Sequence, residues 1–163
     1  MKNFNLKSLL VLTYLFYALL SCKSVDDSFN IEKEKQQVEK AINNSIGWAK
    51  TKDLNLLYSV IANDTNYLEI HPNNKVVKGF KEFTKAEAFW MNSDFKAIRY
   101  EIKDLKINFS KSGNVAWFFG MFDDINEWKG QPASWENTRW TGVLEKRNSN
   151  WIIVQMHFSF ASK

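Results

Sequence analysis

Cysteine is all but missing from this chain: Cys22 is the only one, so no disulfide can form within it. Histidine is nearly as scarce. His71 and His157 stand far apart with no cysteine to join them, so no metal site is expected, and nothing calls for a cofactor. A cluster of one charge sign is also lacking. Lysines and arginines are spread among the acids, which argues against nucleic acid as a partner. Internal repeats and low-complexity tracts are absent. The longest apolar run, Leu9 to Leu20, is interrupted by Thr13 and is shorter than the roughly 20 residues a spanning helix needs.

What is abundant is aromatic. Seven Trp and thirteen Phe in 163 residues imply a rich core and a lined cavity. The start of the chain has a different character. Lys2 and Lys7, the apolar run, and the small Ser21 before Cys22 have the layout of a secretory signal peptide. Leu19-Leu20-Ser21-Cys22 also resembles the lipobox of bacterial lipoproteins, in which the cysteine is lipidated and becomes the first mature residue. The expected organisation is a signal peptide over 1–21, a lipidated tether over 22–29 and one domain over 30–163. Membrane attachment would then run through lipidated Cys22, in the bacterial cell envelope. Removal of Lys2 and Lys7 takes the formal charge from +4 to +2, so the basic balance is partly a property of the leader.

Within the domain, Ile31, Val38, Ile42, Ile46 and Ala49 follow helical spacing, with Glu32 and Glu34 in the first turn where the helix dipole favours acids. Asp53 is placed to cap a second, short helix bearing Leu54, Leu57 and Ile61. Two short strands, 65–70 and 75–78, flank a His71-Pro72-Asn73-Asn74 turn. A third helix follows Gly79, with Phe80, Phe83, Glu87 and Trp90 on one face. A meander of long strands comes next. Ile98, Tyr100 and Ile102 alternate in one phase and Leu105, Ile107 and Phe109 in the other, which predicts a β-bulge between Ile102 and Leu105. Val115 to Phe122 reads as a central strand, and Asp123 to Pro132 as a loop. Trp135 to Leu144, a Lys146–Asn150 turn and Trp151 to Ser159 read as a closing hairpin.

That hairpin, Arg-Trp-Thr-Gly-Val-Leu-Glu-Lys-Arg, a short turn and Trp-Ile-Ile-Val-x-x-His-x-Ser, resembles the C-terminal hairpin of SnoaL-like domains in the nuclear transport factor 2-like superfamily. The resemblance covers roughly Ile31 to Ser159. It implies an α+β cone, in which three N-terminal helices pack on a strongly curved antiparallel sheet around a pocket. Many relatives pair sheet against sheet, so a homodimer through the convex face is also implied. The superfamily holds enzymes, binding domains and assembly modules.

On the last strand Ile152, Val154, Met156, Phe158 and Phe160 make a uniformly apolar set, expected on the concave face. Trp151, Ile153, Gln155, His157 and Ser159 are expected on the convex face. On the preceding strand Thr138, Trp140, Gly142 and Leu144 should point inward, opposite Arg139, Thr141, Val143 and Glu145. Trp48, Tyr67, Trp117, Phe119, Trp140, Met156 and Phe158 are the expected lining of a pocket for a small apolar or aromatic ligand. Binding without catalysis is the leading expectation. The alternatives are an isomerase, cyclase or hydrolase using Asp123 or His157 as base with Tyr67 assisting, and an accessory module that binds a protein through its sheet. His71, in its turn, is expected to be exposed. One of Asp123 and Asp124 could be drawn into the pocket with its pKa raised by burial.

Overall fold

The structure is a computed structural model that describes residues 29–161. The expected signal peptide and nearly all of the tether, Cys22 included, lie outside the described residues. The domain opens with helix α1, Ile31–Gly47, continued by a 3₁₀ turn at Trp48–Lys50. Helix α2, Leu54–Tyr58, begins as expected, with the Asp53 carboxylate accepting from Leu56 N–H at 3.1 Å. Strands β1, Leu68–Ile70, and β2, Val76–Lys78, follow. The single third helix expected from the sequence is three short turns: α3 at Phe80–Phe83, a 3₁₀ turn at Thr84–Ala86, and α4 at Glu87–Trp90.

The remainder is sheet. Strands β3, Phe95–Phe109, β4, Val115–Trp128, β5, Gln131–Pro132, β6, Trp135–Arg147, and β7, Asn150–Ser159, complete a seven-stranded sheet among the described residues. Its spatial order is β2-β1-β7-β6-β4-β3, with β5 beside β4. One pairing departs from the expected antiparallel sheet: β1 runs parallel to β7, so the sheet is mixed. A three-residue strand carries no sequence signal for its direction. The closing turn is also tighter than expected. Only Asn148 and Ser149 lie between the strands, at φ 49° and 67°, the left-handed pair that matches hairpin twist.

Bulges bend this sheet into a cone. The one expected between Ile102 and Leu105 is present, with a register shift between Lys103 and Lys106 and Asp104 at φ 54°. A second lies in β6 opposite Asp123, where Asn137 takes φ 52°. A third, in β7, was not legible. Leu144 pairs Ile153 while Val143 pairs Gln155, leaving Val154 as the extra residue. That extra residue switches the phase of β7. Trp151 and Ile153 point inward with Met156 and Phe158, whereas Ile152 and Val154 are only half-buried. The expected faces of Trp151, Ile153, Ile152 and Val154 are therefore corrected. Phe160, expected inside, is exposed beyond the strand. On β6 the expected inner set of Thr138, Trp140, Gly142 and Leu144 is buried. Gly142 has to be glycine, because a Cβ there would sit 2.4 Å from the Phe118 ring.

The core fills the concave side of the sheet. Helix α1 packs on β7 and β3 through Val38, Ala41 and Ile42. One polar clamp ties the helix to the closing hairpin: Glu34 accepts from Lys146 Nζ at 2.6 Å and from Trp151 Nε1 at 2.7 Å. Burial works to raise the Glu34 carboxyl, but those two hydrogen bonds and the charges of Lys146 and Lys33 outweigh it, leaving the group below its ordinary value.

Candidate functional site

The open end of the cone holds a cavity of about 570 Å³. Its wall comes from the end of α1 (Ile46, Trp48), the short helical turns (Phe83, Phe89, Trp90) and the inner face of the sheet (Phe122, Trp135, Met156, Phe158). Trp48 stands edge-on to Trp90 at 5.3 Å, and Trp135 packs at 5.4 Å from Phe158. A mostly apolar wall with a few converging polar groups is the usual composition of a small-molecule pocket.

Beside Ser45 and the exposed Lys75, Glu82 and Lys85, the polar groups of the lining are Glu69, His71, Asp124 and Asn126. Glu69 points inward from β1, is 8% exposed, and accepts from Tyr67 O–H at 2.8 Å. Its other oxygen lies 2.9 Å from His71 Nε2. That contact is close but not aligned as a hydrogen bond, so Nε2 has no bonded partner among the described residues. The His71 ring stands edge-on to Trp135 at 5.5 Å. Tyr67 is buried against Phe83. Burial, then the Glu69 charge and hydrogen bond, pushes its phenol well up, so it stays protonated and keeps Glu69 in place.

Asp124 enters from β4. The strand does not end at Phe122 as expected but runs on to Trp128, keeping Phe122, Asp124 and Asn126 on the inner side. Burial pushes the Asp124 carboxyl up, and a hydrogen bond from the Asn126 side chain works in the opposite direction. Asn126 is itself buried, and its Oδ1 meets no donor among the described residues.

The sequence candidates separate into three groups. Trp48, Met156 and Phe158 border the cavity. Tyr67 and Trp140 are buried behind its wall; Trp140 is 0% exposed, stacked on Phe158 at 5.4 Å and edge-on to Phe118 at 5.0 Å. Trp117 and Phe119 are corrected. They alternate with the inward Ala116 and Phe118 and so stand on the outer face of the sheet, 45% and 37% exposed. Asp123 is corrected for the same reason. Its neighbour Asp124 faces in, while Asp123 faces out, bound to Lys103 Nζ at 2.6 Å and accepting from Asn137 N–H at 2.7 Å. The Lys103 hydrogen bond, with that from Asn137, holds its carboxyl below the ordinary range. His157 is half-buried and outside the cavity lining, on the side opposite Met156 and Phe158. His71, expected to be exposed, is in the wall. The alternation Tyr67, Glu69, His71 through β1 and the residues flanking it was the signal available to find it. Among the described residues, no group of His, Cys, Asp or Glu is placed to hold a metal ion.

The model of the SnoaL-like domain matches residues 38–163, and the chain belongs to that family. Among solved structures it is similar to a protein from Streptomyces avermitilis described as a putative dehydratase of the NTF2-like family, with TM-score 0.68 and 16% identity over 82% of this chain and 100% of that one. An NTF2-like protein from Cytophaga hutchinsonii aligns with TM-score 0.62 and 12% identity, covering 78% of this chain and 98% of the other. An NTF2-like protein of unknown function from Prochlorococcus marinus aligns with TM-score 0.61 and 19% identity over 79% and 94%. At these identities the likeness is one of fold. No curated protein matches the chain.

Proposed function

We propose that the cone binds a small, largely apolar or aromatic molecule and carries out proton transfer on it, with Asp124 and His71 as acid and base. The observation that carries this reading is the placement of two titratable side chains of different environment in one apolar cavity. Asp124 is raised by burial, and His71 is held beside Glu69. Binding without chemistry would require neither. His71 Nε2, close to Glu69 but without a hydrogen-bond partner among the described residues, is the ring nitrogen left to exchange a proton with a bound molecule. Asp124, keeping its own proton to higher pH than an ordinary aspartate, can return one. Isomerisation, cyclisation and elimination all fit such a pair, and the Streptomyces protein described as a putative dehydratase has the same fold. The test is native mass spectrometry of the protein from its own host for a retained ligand, followed by a turnover assay of that compound with Asp124→Asn. Unchanged turnover would defeat the assignment.

We further propose that Cys22 carries lipid, placing the domain on the bacterial cell envelope, and that the domain pairs with a second copy through its outer face. Acyl-modified Cys22 as the first residue in mass spectra of the membrane fraction would support the anchor; a soluble chain starting elsewhere would refute it. The outer-face pairing now has a different basis from the sequence argument. Trp151 and Ile153 are inside, and on that outer face the exposed Trp117 and Phe119 stand beside Val143 and Thr141 along a shallow groove.

A further inference from the structure

Four buried side-chain polar atoms have no hydrogen-bond partner among the described residues: His71 Nε2, Asn126 Oδ1, Thr138 Oγ1 and Trp140 Nε1. Thr138 and Trp140 are fully enclosed and outside the cavity lining, whereas His71 and Asn126 belong to it. These two differ in kind. An imidazole nitrogen donates or accepts according to its protonation, so His71 leaves the chemistry of a bound molecule open. An amide oxygen only accepts. Asn126 therefore asks one thing of whatever fills the cavity: a donor.

Every other polar group of Asn126 is already committed. Its N–H donates to Ser134 Oγ at 3.1 Å, and its carbonyl accepts from Ala133 N–H at 2.9 Å and from Ser134 Oγ at 3.2 Å. On the other side of the strand Ala97 of β3 pairs with it. The side-chain nitrogen donates to Asp124, which fixes the way the amide is turned. What remains is Oδ1, in a residue only 6% exposed, among the aromatic side chains of Phe122 and Trp135. A buried acceptor left without a donor is costly, and a rigidly held one in a pocket wall selects the molecule that satisfies it.

We propose that Asn126 Oδ1 accepts a hydrogen bond from the molecule in the cone, so that the ligand is an apolar or aromatic body carrying a neutral hydroxyl or N–H. Neutrality follows from the setting. Burial raises the neighbouring Asp124, and the same burial disfavours an ammonium group. The inference rests on the reading of the cavity as a site for a small apolar or aromatic molecule. It does not rest on proton transfer, and it makes Asn126 the residue that decides which apolar molecules are held.

The test is the affinity of the full chain for two matched pairs, measured by ligand-detected NMR: 2-naphthol against 2-methoxynaphthalene, and indole against 1-methylindole. In at least one pair the donor compound should bind about tenfold or more tightly, because its methylated partner shuts water away from Oδ1 and replaces it with nothing. The pair that shows the preference names the donor, hydroxyl or N–H. Asn126→Leu, close in size and without the acceptor, should erase the preference by weakening the donor compound while the methylated one binds as well as before or better. Asn126→Ala serves the same purpose if the leucine is not accommodated. Equal binding within both pairs would overturn the proposal with no variant needed. A preference that survives the loss of Asn126 would assign the donor to another acceptor and overturn it too. Either result leaves the pocket reading standing, whereas failure of all these compounds to bind would overturn that reading and this inference with it. No turnover is measured, so the outcome is independent of any chemistry at Asp124 and His71.

Discussion

Glu69 Oε1 stands 2.9 Å from His71 Nε2 in the wall of the cone, two residues apart on the inward side of β1 and its end. The other Glu69 oxygen is held by Tyr67 O–H, so three alternate residues of β1 and its two flanks lie side by side, with Glu69 and His71 lining the cavity. His71→Ala should lower turnover by about 10²–10⁴ while leaving substrate affinity within a few-fold, because it removes a proton acceptor and little binding surface. Glu69→Gln should produce a smaller loss, since the imidazole remains but its orientation is no longer supported by a charge. Steady-state kinetics on the compound retained by the native protein would separate the two. Equal and small effects would remove His71 from the chemistry.

Asp124 makes stability and activity depend on pH in a defined direction. Its folded-state pKa is raised by burial, so the folded domain favours the protonated form. The stability this contributes is complete below the ordinary carboxylate pKa and is lost as pH rises through the raised value. Asp124→Asn should therefore be more stable than the native chain near neutral pH, and the difference should vanish in acid. Urea midpoints measured across that range provide the check. The same substitution should remove the alkaline limb of the pH–rate profile if Asp124 is the acid.

The clamp from α1 to the hairpin is the opposite case. Glu34 is lowered by Lys146 and Trp151 despite burial, so its contribution is present above the ordinary carboxylate pKa and lost as pH falls through the lowered value. Glu34→Ala leaves the buried indole N–H and the Lys146 ammonium without their acceptor. A loss of about 1–3 kcal/mol is expected, moderated because Lys146 keeps access to water. Denaturation at neutral pH and in acid should show the gap narrowing in acid.

Much of the cone was legible in the sequence, and the failures have a common cause. The alternation on β6 was unambiguous because Arg139 and Glu145 mark the outer face, and the bulge in β3 was visible because charged residues fix the phase on both sides of it. The run Trp151-Ile152-Ile153-Val154 contains no polar residue to reveal its phase, so the bulge at Val154 was silent and half of β7 was inverted in the reading. In β4 the reverse occurred. Asp123, Asp124, Asn126 and Glu127 resemble a loop, yet they continue a strand whose outer Asp123 meets Lys103 and whose inner Asp124 and Asn126 line the cavity. Polarity inside a cone is a property of a site, and patterning rules read it as the end of an element.

Trp117 offers a direct check of the outer face. If two copies pair there, Trp117→Glu should convert a micromolar dimer to a monomer in sedimentation without changing the thermal midpoint appreciably, because the side chain makes no core contact. Trp151→Phe, by contrast, should cost stability and leave the association state unchanged, since the indole is committed to Glu34.

Trp140 and Trp135 separate the core from the pocket. Trp140 is fully enclosed by Phe118, Phe122 and Phe158 and does not reach the cavity, so Trp140→Ala should cost about 3–5 kcal/mol of stability. Any loss of ligand affinity would then follow from that destabilisation. Trp135 is half-buried, borders the cavity and packs edge-on to His71. Trp135→Ala should leave the domain folded and weaken ligand binding by roughly 1–3 kcal/mol through lost apolar contact. It should also lower turnover further by freeing the imidazole. Paired measurement of denaturation midpoint and ligand affinity for the two variants tests the cavity wall directly. Affinity lost at Trp140 with stability intact would mean that the cavity extends deeper along the sheet than its walls place it.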